Sequence, residues 1–140
     1  MVPDVEIVRD RVLRIRMYVQ DLRAMSAIGL EEFRLNRERQ YAVLHALQLA
    51  IEACIEIATH ICAADALGAP GSYAEAFSTL ERSGILAPPL AEDLRAMARF
   101  RNRIVHFYWD VEPGQIHQVL KERLTDFERY VPAIETYMQG

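Results

Sequence analysis

The fold is decided by residues 41–66, which read YAVLHALQLAIEACIEIATHICAADA. Drawn as a helix, the stretch is apolar on nearly every side, through Leu44, Leu47, Leu49, Ile51, Ile55, Ile57 and Ile61. A helix of this kind is either the central helix of a bundle or one shared between protein partners. The charged residues from Glu31 to Arg39 precede it without a break, so we predict one helix over residues 30–66.

A second apolar pattern lies N-terminal to this helix. Steps of three and four residues separate its members, which is a heptad seam typical of a packed helix: Val5, Val8, Val12, Ile15, Val19 and Leu22. The pattern predicts a helix over residues 4–25, ended by Ile28-Gly29.

Glycine and proline divide the chain after residue 66. Gly68-Ala69-Pro70-Gly71 is a break, and Ser72-Tyr73-Ala74-Glu75 is a capping box, in which serine and glutamate satisfy free amides at a helix start. The box opens a short helix through about Arg82. Pro88-Pro89 begins the next helix, which carries residues 101–108 near its end.

Pro113-Gly114 forces a turn before a last helix over residues 115–138, where Pro132 is expected to kink the helix or shift its boundary. No window alternates with period two. We therefore predict an all-α fold, an up-and-down bundle of four long helices plus one short helix, as a single domain over residues 1–140.

Composition narrows the function classes. The 140 residues are 51% hydrophobic and 26% charged, which is ordinary for a globular protein, and the net charge of −4 argues against broad, nonspecific coating of nucleic acid. The chain has no run of eighteen apolar residues, and no secretory signal is expected at Met1–Ile7, so we predict a cytoplasmic protein with no membrane span.

Two cysteines, Cys54 and Cys62, lie about 12 Å apart on one predicted helix, too far for a disulfide. Reduced, buried thiols are expected instead, as in most cytosolic proteins. Neither a Cys-x-x-Cys nor a His-Glu-x-x-His motif occurs, so we predict no metal site and no cofactor.

The chemistry is concentrated in residues 101–108, RNRIVHFY. An arginine such as Arg101 binds a phosphate in two places and stays charged. A histidine such as His106 moves protons near neutral pH. The hydroxyl of Tyr108 is open to covalent modification. Together these residues indicate a site acting on phosphate-containing molecules, with RNA the leading candidate.

On an ideal helix, Arg101 and Tyr108 share a face while His106 lies about 140° away. Either the long arginine reaches round, or the helix loosens before Pro113, or a second subunit completes the site. A twofold interface would place two copies of the run in one cleft.

A purely structural interpretation is equally open from spacing alone. His106 suits the dipole at a helix C-terminus, and Tyr108 beside Phe107 and Trp109 suits packing. Arg101 then pairs with Glu52, Glu56 or another acid.

Other polar residues carry weaker expectations. Arg95 and Arg99 either extend a basic track for RNA or pair with Glu92 and Asp93 on a solvated face. His60 and Glu56 are expected to form a polar pair that faces the predicted fourth helix, the one that carries residues 101–108. Support of the site is the minority alternative. We expect His45 and His117 at the surface and Tyr130 and Tyr137 in the core or an interface.

The pattern Arg101-Asn102-x-x-x-His106-x-Tyr108 resembles the signature of the HEPN superfamily (higher eukaryotes and prokaryotes nucleotide-binding), and more narrowly that of the HepT-like toxins. The likeness extends over most of the chain, through residues 31–33, 47–53, 57–60, 71–77 and 80–86.

The resemblance implies a metal-independent RNase toxin of a toxin–antitoxin pair, acting as a helical homodimer. Arg101 and His106 would be catalytic and Asn102 supporting. A cognate minimal nucleotidyltransferase of the MntA type would neutralise the toxin by transferring AMP to Tyr108. The alternatives are a noncatalytic adaptor that binds a nucleotidyltransferase or a nucleotide, and a dimerisation bundle without a ligand.

Overall fold

The structure, a computed structural model, describes residues 3–140, and this part of the chain contains helices and no strand. Its α-helices are α1 (Val5–Met25), α2 (Leu30–Leu35), α3 (Arg37–Ala64), α4 (Tyr73–Arg82), α5 (Pro88–His106), α6 (Pro113–Glu122) and α7 (Leu124–Gln139), with a 3₁₀ turn at Tyr108–Asp110. The all-α prediction is confirmed. The predicted count of four long helices plus one short helix is wrong, because two of the expected helices are divided.

The predicted helix over residues 30–66 is broken at Asn36. This residue is extended (φ −113°, ψ 90°), and its side chain accepts a hydrogen bond from the amide of Arg39 at 2.9 Å. Asn36 therefore caps α3 instead of continuing α2, a role that asparagine fills well. The Gln40 side chain donates to the carbonyl of Phe33 at 2.8 Å and holds the corner closed.

The predicted last helix is broken at Arg123, which leaves the helical region at φ −112° and ψ 0°. Pro113 begins α6 and Leu124 begins α7. Pro132 does not end the helix, since α7 runs through it from Leu124 to Gln139.

Helix α3 is the centre of the bundle. It contacts α1, α2, α4, α5, α6 and α7. Eleven of its residues are buried, which accounts for its apolar surface: Val43, Leu47, Ala50, Ile51, Ala53, Cys54, Ile55, Ile57, Ala58, Ile61 and Cys62. Within residues 3–140 it is also the single helix long and apolar enough to cross a membrane, but half of its most apolar window is buried inside the bundle.

Helix α1 packs against α3 and α7 along the predicted seam. Val8, Val12, Ile15, Val19 and Leu22 are buried. The first seam position is wrong, because Val5 is 50% exposed at the end of the helix.

A buried hydrogen bond joins α7 to α3. The Tyr130 side chain is fully buried, and its hydroxyl donates to the carbonyl of Cys54 at 3.0 Å. Burial raises the pKa of Tyr130 well above its usual value, so the hydroxyl stays protonated as a donor.

Cys54 and Cys62 are both free and buried, as predicted.

An ionic cluster joins α5 to α7. Asp126 is 1% exposed and lies between Arg123 and Arg129, both of which also bind Asp93 of α5. Burial raises the pKa of Asp126 despite these cations. Burial acts on Asp93 in the same sense, but hydrogen bonds from Arg129 and Arg123 outweigh it and lower the pKa of Asp93.

Three residues have partners that the sequence did not predict. Glu56 accepts from Arg11 at 2.6 Å, and the His60 Nε2 accepts from the amide of Asp4 at 2.8 Å. Both therefore bond towards α1 and do not pair with each other, although Glu56 also lines a pocket with Arg101 of α5, the helix that it was expected to face. His117 is half-buried, its ring packs at a tilt against Phe33, and its Nε2 lies 2.8 Å from the Ile28 carbonyl, so it is not the unpartnered surface residue that was expected.

We expect Tyr130→Phe to lower the free energy of unfolding by about 1 kcal/mol, because the variant removes one buried hydrogen bond and keeps the ring. Urea unfolding measures the change. Tyr41→Phe is the matched control, since Tyr41 is 54% exposed, and it should change stability by less than about 0.5 kcal/mol. Equal effects of the two variants would contradict a stabilising role for the bond to Cys54.

Candidate functional site

The packing of α5 turns Arg101 towards the bundle. The buried residues Leu90, Leu94 and Met97 are separated by four and three residues, and a further step of four reaches Arg101. Arg101 therefore stands where the core stripe of α5 would continue, and its side chain is only 16% exposed. A half-buried guanidinium needs a partner, because an unpaired charge at such a position is costly.

That partner is Glu52 on α3. One carboxylate oxygen, Oε2, accepts from both the Nε and the Nη2 of Arg101, at 3.0 and 2.9 Å. The Gln48 side chain, one turn earlier on α3, donates to the same oxygen at 3.1 Å. Of the acids considered as partners from the sequence, Glu52 binds Arg101, whereas Glu56 binds Arg11.

The neighbouring Asn102 holds the other arm of the guanidinium. Its Oδ1 accepts from the Nη1 of Arg101 at 3.2 Å. A guanidinium carries five N–H donors, so these three bonds leave one donor on each terminal nitrogen. Arg101 is thus fixed in orientation and still presents a two-pronged end, which suits a phosphate.

An open cleft of about 640 Å³ lies beside this arginine. Arg101, Asn102 and His106 line it from α5, with Thr59 of α3 and the loop 70–73 opposite. One chain therefore brings together the predicted catalytic residues, Arg101 and His106, and the predicted supporting residue, Asn102.

The loop wall of the cleft is held by the predicted capping box. The hydroxyl of Ser72 accepts from the Glu75 amide at 3.1 Å. The Glu75 carboxylate returns to the amide of Gly71 at 2.9 Å, one residue before the cap. Both free amides are satisfied, which fixes the loop against the start of α4.

The helix loosens before Pro113, which is one of the three predicted alternatives, so the ideal-helix placement of Tyr108 on the face of Arg101 is wrong. Helix α5 ends at His106, because Phe107 leaves the helical region at φ −141°, and Tyr108 lies in the 3₁₀ turn. Arg101 and His106 both lie within α5 and line one cleft, whereas Tyr108, beyond the end of the helix, lines a separate groove with Tyr41, Leu44, His45, Gln48 and Ile104. Val105 lines both and forms the ridge between them.

The two further arginines differ in their surroundings. Arg95 donates to Glu81 of α4 at 2.7 Å and not to Glu92 or Asp93. Arg99 is exposed, and no ion pair is found for it among residues 3–140. Steps of four, three and four residues place Arg95, Arg99, Asn102 and His106 on one side of α5.

Sequence reasoning missed Tyr73 as a residue of the cleft. The guanidinium carbon of Arg101 lies 5.2 Å from the centroid of the Tyr73 ring, within cation–π distance. In the sequence Tyr73 is only the first residue after a helix cap, with no spacing that relates it to Arg101. The helix start that was predicted at Ser72 is the one available signal.

We expect the Glu52–Arg101 pair to be coupled more strongly than an exposed ion pair. A double-mutant cycle with Glu52→Ala and Arg101→Ala, measured by urea unfolding, should give about 1–3 kcal/mol, because the bond is charged and half-buried. The same cycle on Glu6 and Arg9, an exposed pair on α1, should give less than about 0.5 kcal/mol. Equal coupling energies would show that burial adds nothing to the Glu52–Arg101 bond.

Two named relatives and one solved structure resemble this chain over most of its length. A tRNA nuclease HepT of Aphanizomenon flos-aquae is 31% identical over 132 residues, 94% of this chain and 90% of the relative. An mRNA nuclease HepT of Shewanella oneidensis is 28% identical over 130 residues, 93% and 97% of the two chains. The solved structure of a tri-AMPylated Shewanella oneidensis HEPN toxin in complex with its MNT antitoxin matches with a TM-score of 0.88 at 28% identity, covering 95% of this chain and 99% of that one.

A family model described as "Ribonuclease HepT-like" matches residues 15–134, nearly the whole bundle and all of the cleft. The match confirms the resemblance seen in the motif and in the ordered context around it. The chain belongs to the HepT-like ribonuclease family.

Proposed function

We propose that this protein is an endoribonuclease toxin, that it cleaves RNA in the cleft between α5 and the loop 70–73, and that AMPylation of Tyr108 neutralises it. The observation that carries the proposal is the joint placement of Arg101, Asn102 and His106 around one open cleft in a chain of the HepT-like family. The relatives named as nucleases of tRNA and mRNA support RNA as the substrate class.

Arg101 binds the scissile phosphate through its two remaining N–H groups. Negative charge increases on the phosphate oxygens in the transition state, and a donor pair already fixed in place stabilises it without reorganising. Glu52 and Asn102 supply that fixation. Asn102 therefore supports catalysis through Arg101.

His106 carries one of the two proton transfers. The 2′-oxygen of the ribose attacks phosphorus, the bond from phosphorus to the 5′-oxygen breaks, and a 2′,3′-cyclic phosphate and a 5′-hydroxyl result. The imidazole either takes the proton from the 2′-hydroxyl or gives one to the 5′-oxygen, and water carries the other transfer. The nucleophile belongs to the substrate, so the proposed step uses no metal.

Basic residues beside the cleft extend the RNA path. Arg99 is exposed on the side of α5 that leads to His106, which makes it the stronger candidate for a phosphate contact. Arg95 lies on the same side but holds Glu81, so a phosphate at this position has to compete with that carboxylate.

The switch is the hydroxyl of Tyr108, a residue that is 58% exposed. It attacks the α-phosphorus of ATP, pyrophosphate leaves, and the phenolic proton passes to a base of the cognate nucleotidyltransferase, an antitoxin of the MntA type. The attached AMP brings negative charge and bulk to the far side of the Val105 ridge, where it repels and blocks RNA. The AMPylated HEPN toxin bound to an MNT antitoxin supports this partner.

We also propose that residues 1–140 act as one domain in a cytoplasmic homodimer. An exposed aromatic patch next to the cleft supports the dimer: Phe107 and Trp109 are 54% and 69% exposed, more than an unpartnered surface usually leaves to neighbouring aromatic residues. The two reduced thiols and the use of RNA and ATP support the cytoplasm.

Purified protein should cleave RNA in the presence of EDTA. Arg101→Ala and His106→Ala should each lower the rate by at least about 100-fold, the range expected when a charge-stabilising donor or a proton-transfer group is removed. Gel analysis of RNA fragments measures the rate, and circular dichroism checks the fold.

Arg9→Ala is the matched control, since Arg9 is an exposed arginine on α1 away from the cleft. It should cleave like the wild type. An active His106→Ala protein would refute the mechanism, and RNA binding without cleavage by the wild type would favour the adaptor alternative.

Incubation with the cognate nucleotidyltransferase and ATP should add AMP to the peptide that contains Tyr108, as seen by mass spectrometry, and should stop RNA cleavage. Tyr108→Phe should escape both effects because it lacks the attacking oxygen. Modification at other residues alone, with cleavage stopped equally in Tyr108→Phe, would show that the switch lies elsewhere.

A further inference from the structure

We propose that Tyr73 is the base-binding wall of the cleft, where the base next to the scissile phosphate stacks, and that the RNA is therefore unpaired where it is cut. The inference rests on the proposed function, since it names a binding residue and a substrate class for the same site. It stands on the position of Tyr73, which no part of the motif predicts.

The position of Tyr73 is fixed before any RNA binds. It is the first residue of α4, and the bonds of Ser72 and Glu75 hold the residues on either side of it. A Cβ on Gly71 would lie 2.8 Å from the Glu75 carboxylate, so a larger residue here would displace the carboxylate that holds the Gly71 amide. The ring is thus carried by a rigid loop, which lowers the entropy lost when a ligand binds.

The ring is also placed where a nucleotide needs it. Tyr73 lines the cleft together with Arg101 and His106, and it is 42% exposed. Arg101 lies at 5.2 Å from the ring centroid. A phosphate held by Arg101 would therefore lie next to the aromatic ring of Tyr73. Proteins bind single-stranded nucleic acids through this combination, in which a cation holds the phosphate and a ring stacks on the base.

Stacking decides which feature of the RNA is selected. Every base has a π-face, so an aromatic wall accepts all four bases but requires that the base has left its own helix. The cleft should therefore discriminate between paired and unpaired RNA more strongly than between base identities.

The test uses a short single-stranded oligoribonucleotide that carries a cut mapped with the wild-type protein. Two further versions each lack one base: one has an abasic ribose on the 5′ side of the scissile phosphate, and the other has it on the 3′ side. Tyr73→Ala should lower kcat/KM on the intact oligomer by about 10-fold or more, mainly through KM, as expected for loss of one base–aromatic stack. Tyr73→Phe and Tyr73→Trp should retain activity.

On the abasic oligomer at the stacking side, wild type and Tyr73→Ala should differ by less than about 2-fold. If Tyr73 acted only by positioning Arg101, Tyr73→Ala would lower kcat/KM by the same factor on the intact and the abasic oligomers. This result would overturn the proposal. Tyr41→Ala, an exposed tyrosine outside the cleft, should match the wild type throughout.

A complementary strand that pairs the cut site should suppress cleavage, and equal cleavage of the duplex would overturn the requirement for unpaired RNA. Failure of the inference is distinct from failure of the proposed function. In the first case wild type cleaves, His106→Ala does not, and Tyr73→Ala behaves as wild type. In the second, the wild type leaves every oligomer intact, and both proposals fall.

Discussion

The burial of α3 is the constraint on which the rest of the structure depends. A helix with apolar residues on nearly every side is stable in water only when other helices cover it, and six helices do so here. The other helices leave one polar edge of α3 partly uncovered. Glu52 and Glu56 lie on this edge, one helical turn apart. Arg11 from α1 and Arg101 from α5 meet these two carboxylates. The cleft lies beside the second pair, so the site follows from where the central helix stops being apolar.

Helices were predictable from the sequence wherever burial repeats along the chain. The seam of α1 and the apolar circumference of α3 persist over many residues, and a periodic pattern of that length has few other interpretations. The breaks at Asn36 and Arg123 were not predictable in the same way. Each is a change at a single residue without glycine or proline, and at Asn36 the decisive bond is a side-chain cap that competes with a continuing helix.

The site was predictable as a set of residues and not as a geometry. Residue types in the 101–108 run indicated phosphate chemistry, and the family match agrees. Ideal helical angles misplaced Tyr108, because α5 ends at His106 and Tyr108 lies in the turn beyond it. The partners of Arg101 come from distant points, Glu52 at 49 residues' separation and Tyr73 from the start of α4, and spacing within one helix carries no information about either.

The Val105 ridge gives the proposed switch a physical advantage. If the modified tyrosine lined the catalytic cleft, AMP would contact the Glu52–Arg101 bond directly and disturb a half-buried ion pair that also joins α3 to α5. With Tyr108 in the neighbouring groove, a transferase needs access only to the outer surface near Tyr41 and His45. From the other side of the Val105 ridge, the added AMP then repels incoming RNA through its charge and blocks it through its bulk. On the proposed model, neutralisation requires no rearrangement of the bundle, and Arg101 keeps its bond to Glu52.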